Sequence, residues 1–125
     1  LVRAGDLIIN KIWVRHGSVA VASETVDGCV ASGEFPTFEI NGGCAFPRWI
    51  HWITKNTRFW NECDALSQGT SGKNRIRPDA FLTIQIPLPS LPEQRRIVAR
   101  IEALAAKIEE ALGRFHNWLK TAQPD

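Results

Sequence analysis

The sequence contains no methionine and only three cysteines. Its apolar runs fall far short of the ~20 residues that span a bilayer. Each shortage narrows the reading. No membrane-spanning helix is expected, and no charged-then-apolar segment opens the chain as a secretory signal would. Cys29, Cys44 and Cys63 are odd in number and widely spaced, with no Cys-x-x-Cys or Cys/His pattern. That spacing points away from zinc and from a disulfide framework, and toward reduced thiols in a cytoplasmic protein. A chain of 125 residues that starts at Leu1 and holds no Met reads as a fragment or a processed chain. It has room for one globular domain with an appendage. Charge is nearly balanced, 15 Lys and Arg against 13 Asp and Glu, for a net +2. This excludes a strongly basic coat protein for nucleic acid. It does not exclude a DNA reader, because a local patch matters more than the sum. With 44% hydrophobic and 22% charged residues, the chain has the composition of an ordinary folded protein.

Catalytic motifs are missing as well. An adenine methyltransferase needs a Gly-rich cofactor loop and an Asn-Pro-Pro-aromatic motif, and neither occurs. Gly69-Thr70-Ser71-Gly72-Lys73 has the composition of a phosphate-binding loop, but its first Gly is too close and Asn74 follows Lys73. Asp79 after Pro78 lacks the second acid and the Lys that a metal-dependent nuclease would place on the next strand. His16, His51 and His116 are scattered and read as surface or packing residues. The chain is therefore expected to be non-catalytic, with no cofactor and no metal.

What is present divides near Ser90. Asp6–Asn10, Ser18–Ala22, Cys29–Ser32 and Thr37–Ile40 are short apolar runs punctuated by Gly, Pro and Asn, which is a strand-and-turn signature. Pro47 predicts a helix through Ile53, since proline suits a first turn. A second helix is predicted from Thr57 to about Leu66, followed by a polar loop over Ser67–Gly72. Phe81–Ile86 alternates apolar and polar residues and predicts a strand, stopped by Pro87 and Pro89. Trp49, Trp52 and Trp60 fall where helices should pack and read as core.

Ser90 to Glu93 matches the capping box S-x-x-E, so Ser90 is the predicted N-cap. Beyond it Ile97, Ile101, Leu104, Ile108, Ala111, Phe115 and Trp118 recur at spacings of four and three, a heptad seam. A helix of about 28 residues is roughly 42 Å long, too long for the preceding domain to cover. Part of the seam is expected to meet another helix. The alternative is an ordinary amphipathic helix folded back on its own domain. Gly113 and the polar residues past Lys120 predict fraying at the far end.

Two stretches concentrate positive charge. Lys73-Asn74-Arg75-Ile76-Arg77 follows Ser67-Gln68-Gly69-Thr70-Ser71-Gly72, and Lys11 and Arg15 flank Trp13 beside His16. Small flexible residues let backbone N–H groups approach phosphates. Arg and Lys neutralise phosphate or pair with guanine, and Asn and Gln pair with adenine. The plainer alternative is two solvated loops.

The order of these segments resembles the specificity subunits of Type I restriction-modification enzymes. The similar stretches are Gly5–Ile12, Gly17–Ala20, Trp49–Trp60, Ser67–Ile76 and Phe81–Val98. The last holds the sequence IPLPSLPEQRRIV leading into the long helix, and the likeness runs from Gly5 to about Leu112. The resemblance implies an α+β chain. Residues 1–90 would form a target-recognition domain, here partial, built on a small mixed β-sheet. Residues 91–120 would form a long coiled-coil-type helix, and residues 121–125 a tail. In that family two recognition domains are each followed by such a helix, and the helices pack antiparallel as a ruler between half-sites. Double-stranded DNA, cofactor-binding methylation subunits and a motor-nuclease subunit are the implied partners, with self-association through the helix. The expected DNA-facing residues are Lys11, Trp13, Arg15, Gln68, Thr70, Ser71, Lys73, Asn74, Arg75 and Arg77. The expected helix interface is Ile97, Ile101, Leu104, Ile108 and Phe115. Two other readings stay open: a helix-driven interaction module without DNA binding, and the recognition region of a fused restriction-methylation enzyme.

Overall fold

A computed structural model describes residues 1–68 and 74–122. In chain order it contains β1 (Leu7–Ile9), a 3-10 turn at Val14–His16, β2 (Val19–Val21), a 3-10 turn at Glu24–Val26 and β3 (Thr37–Phe38). Helices α1 (Pro47–Ile53) and α2 (Thr57–Ala65) follow. Then come β4 (Ser67–Gln68), β5 (Arg75–Ile76), the short α3 (Pro78–Phe81) and the long α4 (Leu91–Ala122). One sheet has the order β2-β1-β3, and β4 pairs with β5. The pairings are antiparallel, with Leu7 opposite both Val21 and Phe38. The chain is thus of the α+β class, as expected.

The elements form for local reasons. Leu7 and Ile9 point to one face of β1 and are buried, as the period of two requires. Pro47 follows extended Phe46 and opens α1. Asn56 caps α2, its Oδ1 accepting the Phe59 N–H at 2.8 Å. The core gathers Ile9, Val14, Ile76 and Cys63, all removed from water, with Ile50 and Phe59 from the helices. Phe81 stacks on Phe38 at 5.0 Å between ring centroids and meets Phe59 edge-on at 6.0 Å. Burial, and secondarily the charge of Glu62, pushes the Cys63 thiol up to about 12. Cys29 and Cys44 are exposed free thiols.

Two predicted strands are absent. Cys29–Ser32 is turn and coil: Cys29 N–H bonds back to Val26 C=O, Cys29 C=O accepts from Val2, and the segment lies mostly in water. Phe81–Ile86 fails as a strand because Pro78 starts a helical turn that takes Phe81 into the core. Thr83 then closes that turn, its Oγ1 donating to Ala80 C=O at 2.6 Å. The alternation survives without a paired strand, since Ile84 and Ile86 pack on the core from an irregular segment. The tryptophans divide. Trp49 and Trp60 pack against the core. Trp52 instead turns its indole N–H to Glu102 of α4 at 3.3 Å.

Helix α4 begins after Ser90, whose Oγ accepts the Glu93 N–H at a long 3.4 Å. The reciprocal arm of the capping box is not made, because the Glu93 carboxylate is taken by Arg96. The helix runs 32 residues, through Gly113 to Ala122; Gly113 does not end it, and the rest of the stretch expected to fray, residues 123–125, lies outside the described residues. Its length is about 48 Å.

Gly17 ends the first 3-10 turn with φ +96°, and a Cβ there would sit 2.9 Å from the Trp60 ring. Gly113 lies within α4 with open space around it. Gly17→Ala should therefore destabilise the chain by about 2 kcal/mol through strain and clash. Gly113→Ala should stabilise it by about 0.5–1 kcal/mol through helix propensity. Urea unfolding of the two variants checks the opposite signs.

Candidate functional site

The first basic cluster is built on the Asn10 side chain. Its Oδ1 accepts from Ile12 N–H at 2.9 Å and Trp13 N–H at 3.0 Å, turning the chain sharply out of β1. Val14 anchors the turn in the core and Gly17 closes it. Trp13 is thereby held outward, 54% exposed, with the His16 ring 5.8 Å away.

The second cluster meets the first through the backbone. Ile76 N–H donates to Lys11 C=O at 3.0 Å, and Lys11 N–H donates to Glu34 C=O at 3.0 Å. These bonds set β5, with Arg75 and its neighbour Arg77, beside the Trp13 turn. Arg75 Nε lies 3.2 and 3.3 Å from the two Glu34 carboxylate oxygens. Arg77 pairs with Asp79 at 2.9 Å. Both pairs are solvent-exposed, so each contributes only ~0–1 kcal/mol and is easily broken.

Other candidates are placed differently. Arg15 turns inward, its side chain 16% exposed and 3.8 Å from Asp64. Its Nε is buried without a hydrogen-bond partner among the described residues. Asn74 is half-buried. Gln68 lies opposite Arg75 in the β4–β5 register. Thr70, Ser71 and Lys73 lie outside the described residues. Glu34 was not singled out in the sequence. An isolated acid far from the basic stretch gives no local signal of its pairing.

A second surface lies on α4. Two of its residues are buried, Gln94 and Val98. Gln94 Oε1 accepts the Phe46 N–H at 2.8 Å, and its Nε2 donates to Cys44 C=O at 2.9 Å and Pro89 C=O at 2.8 Å. Two turns on, Glu102 accepts from Arg48 at 2.9 Å and from Trp52. Arg95 lies over the Phe46 ring, 5.5 Å from its centroid. Of the expected interface, Ile97 and Ile101 are half-buried. Leu104, Ile108 and Phe115 face solvent, as do Leu112, Trp118 and Leu119. The domain covers the start of the helix, and its apolar far half is bare.

No family model matches the sequence. Among curated proteins, it is 35% identical over 71 residues to the Type I restriction enzyme StySPI specificity subunit of Salmonella potsdam. It is 34% identical over 72 residues to the EcoKI specificity subunit of Escherichia coli K12. These alignments take in 57% and 58% of the chain but only 15% of each relative. The fold matches the HsdS subunit from Thermoanaerobacter tengcongensis with TM-score 0.82 and 26% identity, over 97% of this chain and 31% of that one. A chain from a type I R-M system, solved to describe its complex assembly and conformational transition, matches with TM-score 0.74 and 30% identity. That match takes in 96% of this chain and 31% of the other. In sequence and fold the chain is therefore similar to one segment of a Type I specificity subunit, and it spans a minor part of such proteins.

The joint between α1 and α4 titrates. Hydrogen bonds from Arg48 and then Trp52 hold the Glu102 carboxyl below its ordinary value of 4.5. Desolvation, then Arg48 and Lys55, lowers His51 from 6.5, with Glu102 opposing. Both groups bind protons more weakly folded than unfolded, so acidification favours unfolding. Stability should be full above about pH 7, begin to fall as pH drops past the ordinary His value of about 6.5, and fall further through the carboxylate range. In urea titrations across pH, Glu102→Gln should reduce the drop in the carboxylate range and enlarge the His51 part, since the opposing carboxylate is gone.

Proposed function

We propose that the chain is part of a recognition domain, with its following helix, that reads double-stranded DNA for a Type I restriction-modification enzyme. In this reading it acts in the cytoplasm and performs no chemistry. Methylation and cleavage belong to methylation subunits and a motor-nuclease subunit assembled around it. The observation that carries the reading is the likeness of 97% of the chain to an HsdS subunit at TM-score 0.82. The joined Trp13 turn and β5 give that reading a surface. Lys11, Arg75 and Arg77 would meet phosphates, while Trp13 and His16 offer stacking or apolar contact to bases. Gln68, Thr70, Ser71, Lys73 and Asn74 would extend the contact, and Arg15 would hold the turn from behind.

In the intact subunit with its methylation partners, each lost phosphate contact should reduce the slope of log affinity against log salt by about 0.9. Arg75→Ala with Arg77→Ala should weaken specific and random duplexes alike and lower the slope by up to about two units. Unchanged affinity and slope would remove β5 from the interface.

A second reading, self-association through α4, is favoured by the bare apolar residues from Leu104 to Leu119. Ile101→Asp with Leu104→Asp would put charge into that seam, where burial without a partner is costly. Sedimentation should shift from dimer to monomer. A wild-type chain that stays monomeric at high concentration contradicts this reading.

A further inference from the structure

We infer that Gln94 and the Arg48–Glu102–Trp52 cluster together form a two-point clasp that sets the direction in which α4 leaves the domain. They thereby set the separation of the DNA surface from whatever the far end of the helix carries. The use of that separation rests on the DNA-reading function proposed above; the clasp itself does not.

The geometry assigns the clasp. One point of attachment leaves a rod free to swing, and two points along its axis remove most of that freedom. Gln94 is fully buried and gives both ends of its amide to backbone groups: Phe46 N–H, Cys44 C=O and Pro89 C=O. One orientation of the amide satisfies all three, and a flipped amide would satisfy none, so the contact fixes position and rotation. Glu102 lies eight residues on, about 12 Å along the axis. There it receives the Arg48 guanidinium at 2.9 Å and the Trp52 indole at 3.3 Å, both from α1. Val98 packs between the two points and is buried. Ala105, Ala106 and Glu109 border the same cleft as Arg48, His51 and Trp52. Beyond them the helix residues are exposed. With the far half unsupported, a small rotation at the clasp becomes a displacement of many ångströms at Trp118. Side chains at the joint, rather than the residues facing DNA, thus become determinants of the distance between recognition surfaces.

Pulsed electron resonance on the chain tests this directly. In a Cys44→Ser background, spin labels on native Cys29 and on His116→Cys span the domain and the far helix. Labels on Cys29 and Arg58→Cys report the domain alone. Dilution with unlabelled protein removes distances between copies. The wild-type chain should show one narrow domain-to-helix distance. Glu102→Ala and Arg48→Ala, both at partly exposed side chains, should broaden it and leave the distance within the domain unchanged. Gln94→Ala should broaden it further. A domain-to-helix distance that stays as narrow as wild type in all three variants overturns the inference. In the intact subunit with its methylation partners, Glu102→Ala should lose preference for one spacer length between half-sites and keep its affinity for random DNA. Retained spacer preference in that variant would also contradict the inference. Absence of DNA binding by the wild-type subunit would instead contradict the proposed function, leaving the distance result to decide on the clasp.

Discussion

A glutamine side chain with no contact to water holds the two parts of this molecule together. Gln94 meets Phe46 N–H at the start of α1, Cys44 C=O before it and Pro89 C=O at the foot of α4, each within 2.9 Å. Buried amides are tolerated only when satisfied, and this one satisfies three backbone groups that would otherwise lie unpaired. Truncating it would orphan those groups at ~1–3 kcal/mol each, a large fraction of the stability of a small domain. The contact also ties the end of the irregular segment that follows α3, at Pro89, to the helix beyond it. Trp49 reinforces it with an indole N–H to Pro87 C=O at 2.9 Å. The domain therefore ends, and the helix begins, at one fixed point.

From that point the division of labour follows. The domain side is compact enough to bury Ile9, Val14, Cys63 and Ile76 completely. Its loops hold Trp13 outward and set Arg75 of β5 and the neighbouring Arg77 beside it. The helix side has too few neighbours to bury Leu104, Ile108, Leu112, Phe115 or Trp118. In the self-association reading proposed above, this row of large apolar side chains would meet a second helix. A net charge of only +2 fits the same picture. Acids such as Glu34 and Asp79 pair with Arg75 and Arg77, so the proposed attraction to phosphate would depend on exchange of weak surface pairs rather than on a standing excess of charge.

Much of this was legible in the sequence where local chemistry decides the outcome. Pro47 marked the start of α1, Gly17 bounded the turn before β2, and the spacing after Ser90 marked α4 from its first residue. The likeness of the IPLPSLPEQRRIV run to specificity subunits pointed to the same kind of protein as the curated and structural relatives. Reading failed where tertiary packing overrode pattern. Phe81–Ile86 alternates like a strand, but Phe81 is drawn into an aromatic cluster with Phe38 and Phe59 that no local signal announces. No local signal in the sequence sets Gln94 apart. Its role depends on Cys44 and Phe46, which lie far back along the chain. Glu34 and Trp52 were opaque for the same reason.

Native-state amide exchange tests the joint most directly. If Gln94 binds domain and helix into one cooperative unit, the Phe46 amide should exchange only through global unfolding, with the same free energy as the amides of Ile9 and Ile76. Amides of α4 beyond Lys107 should exchange through much smaller local openings under conditions where the chain is monomeric. A Phe46 amide that exchanges as readily as those in the far half of α4 would show that the joint opens on its own, and would contradict the account.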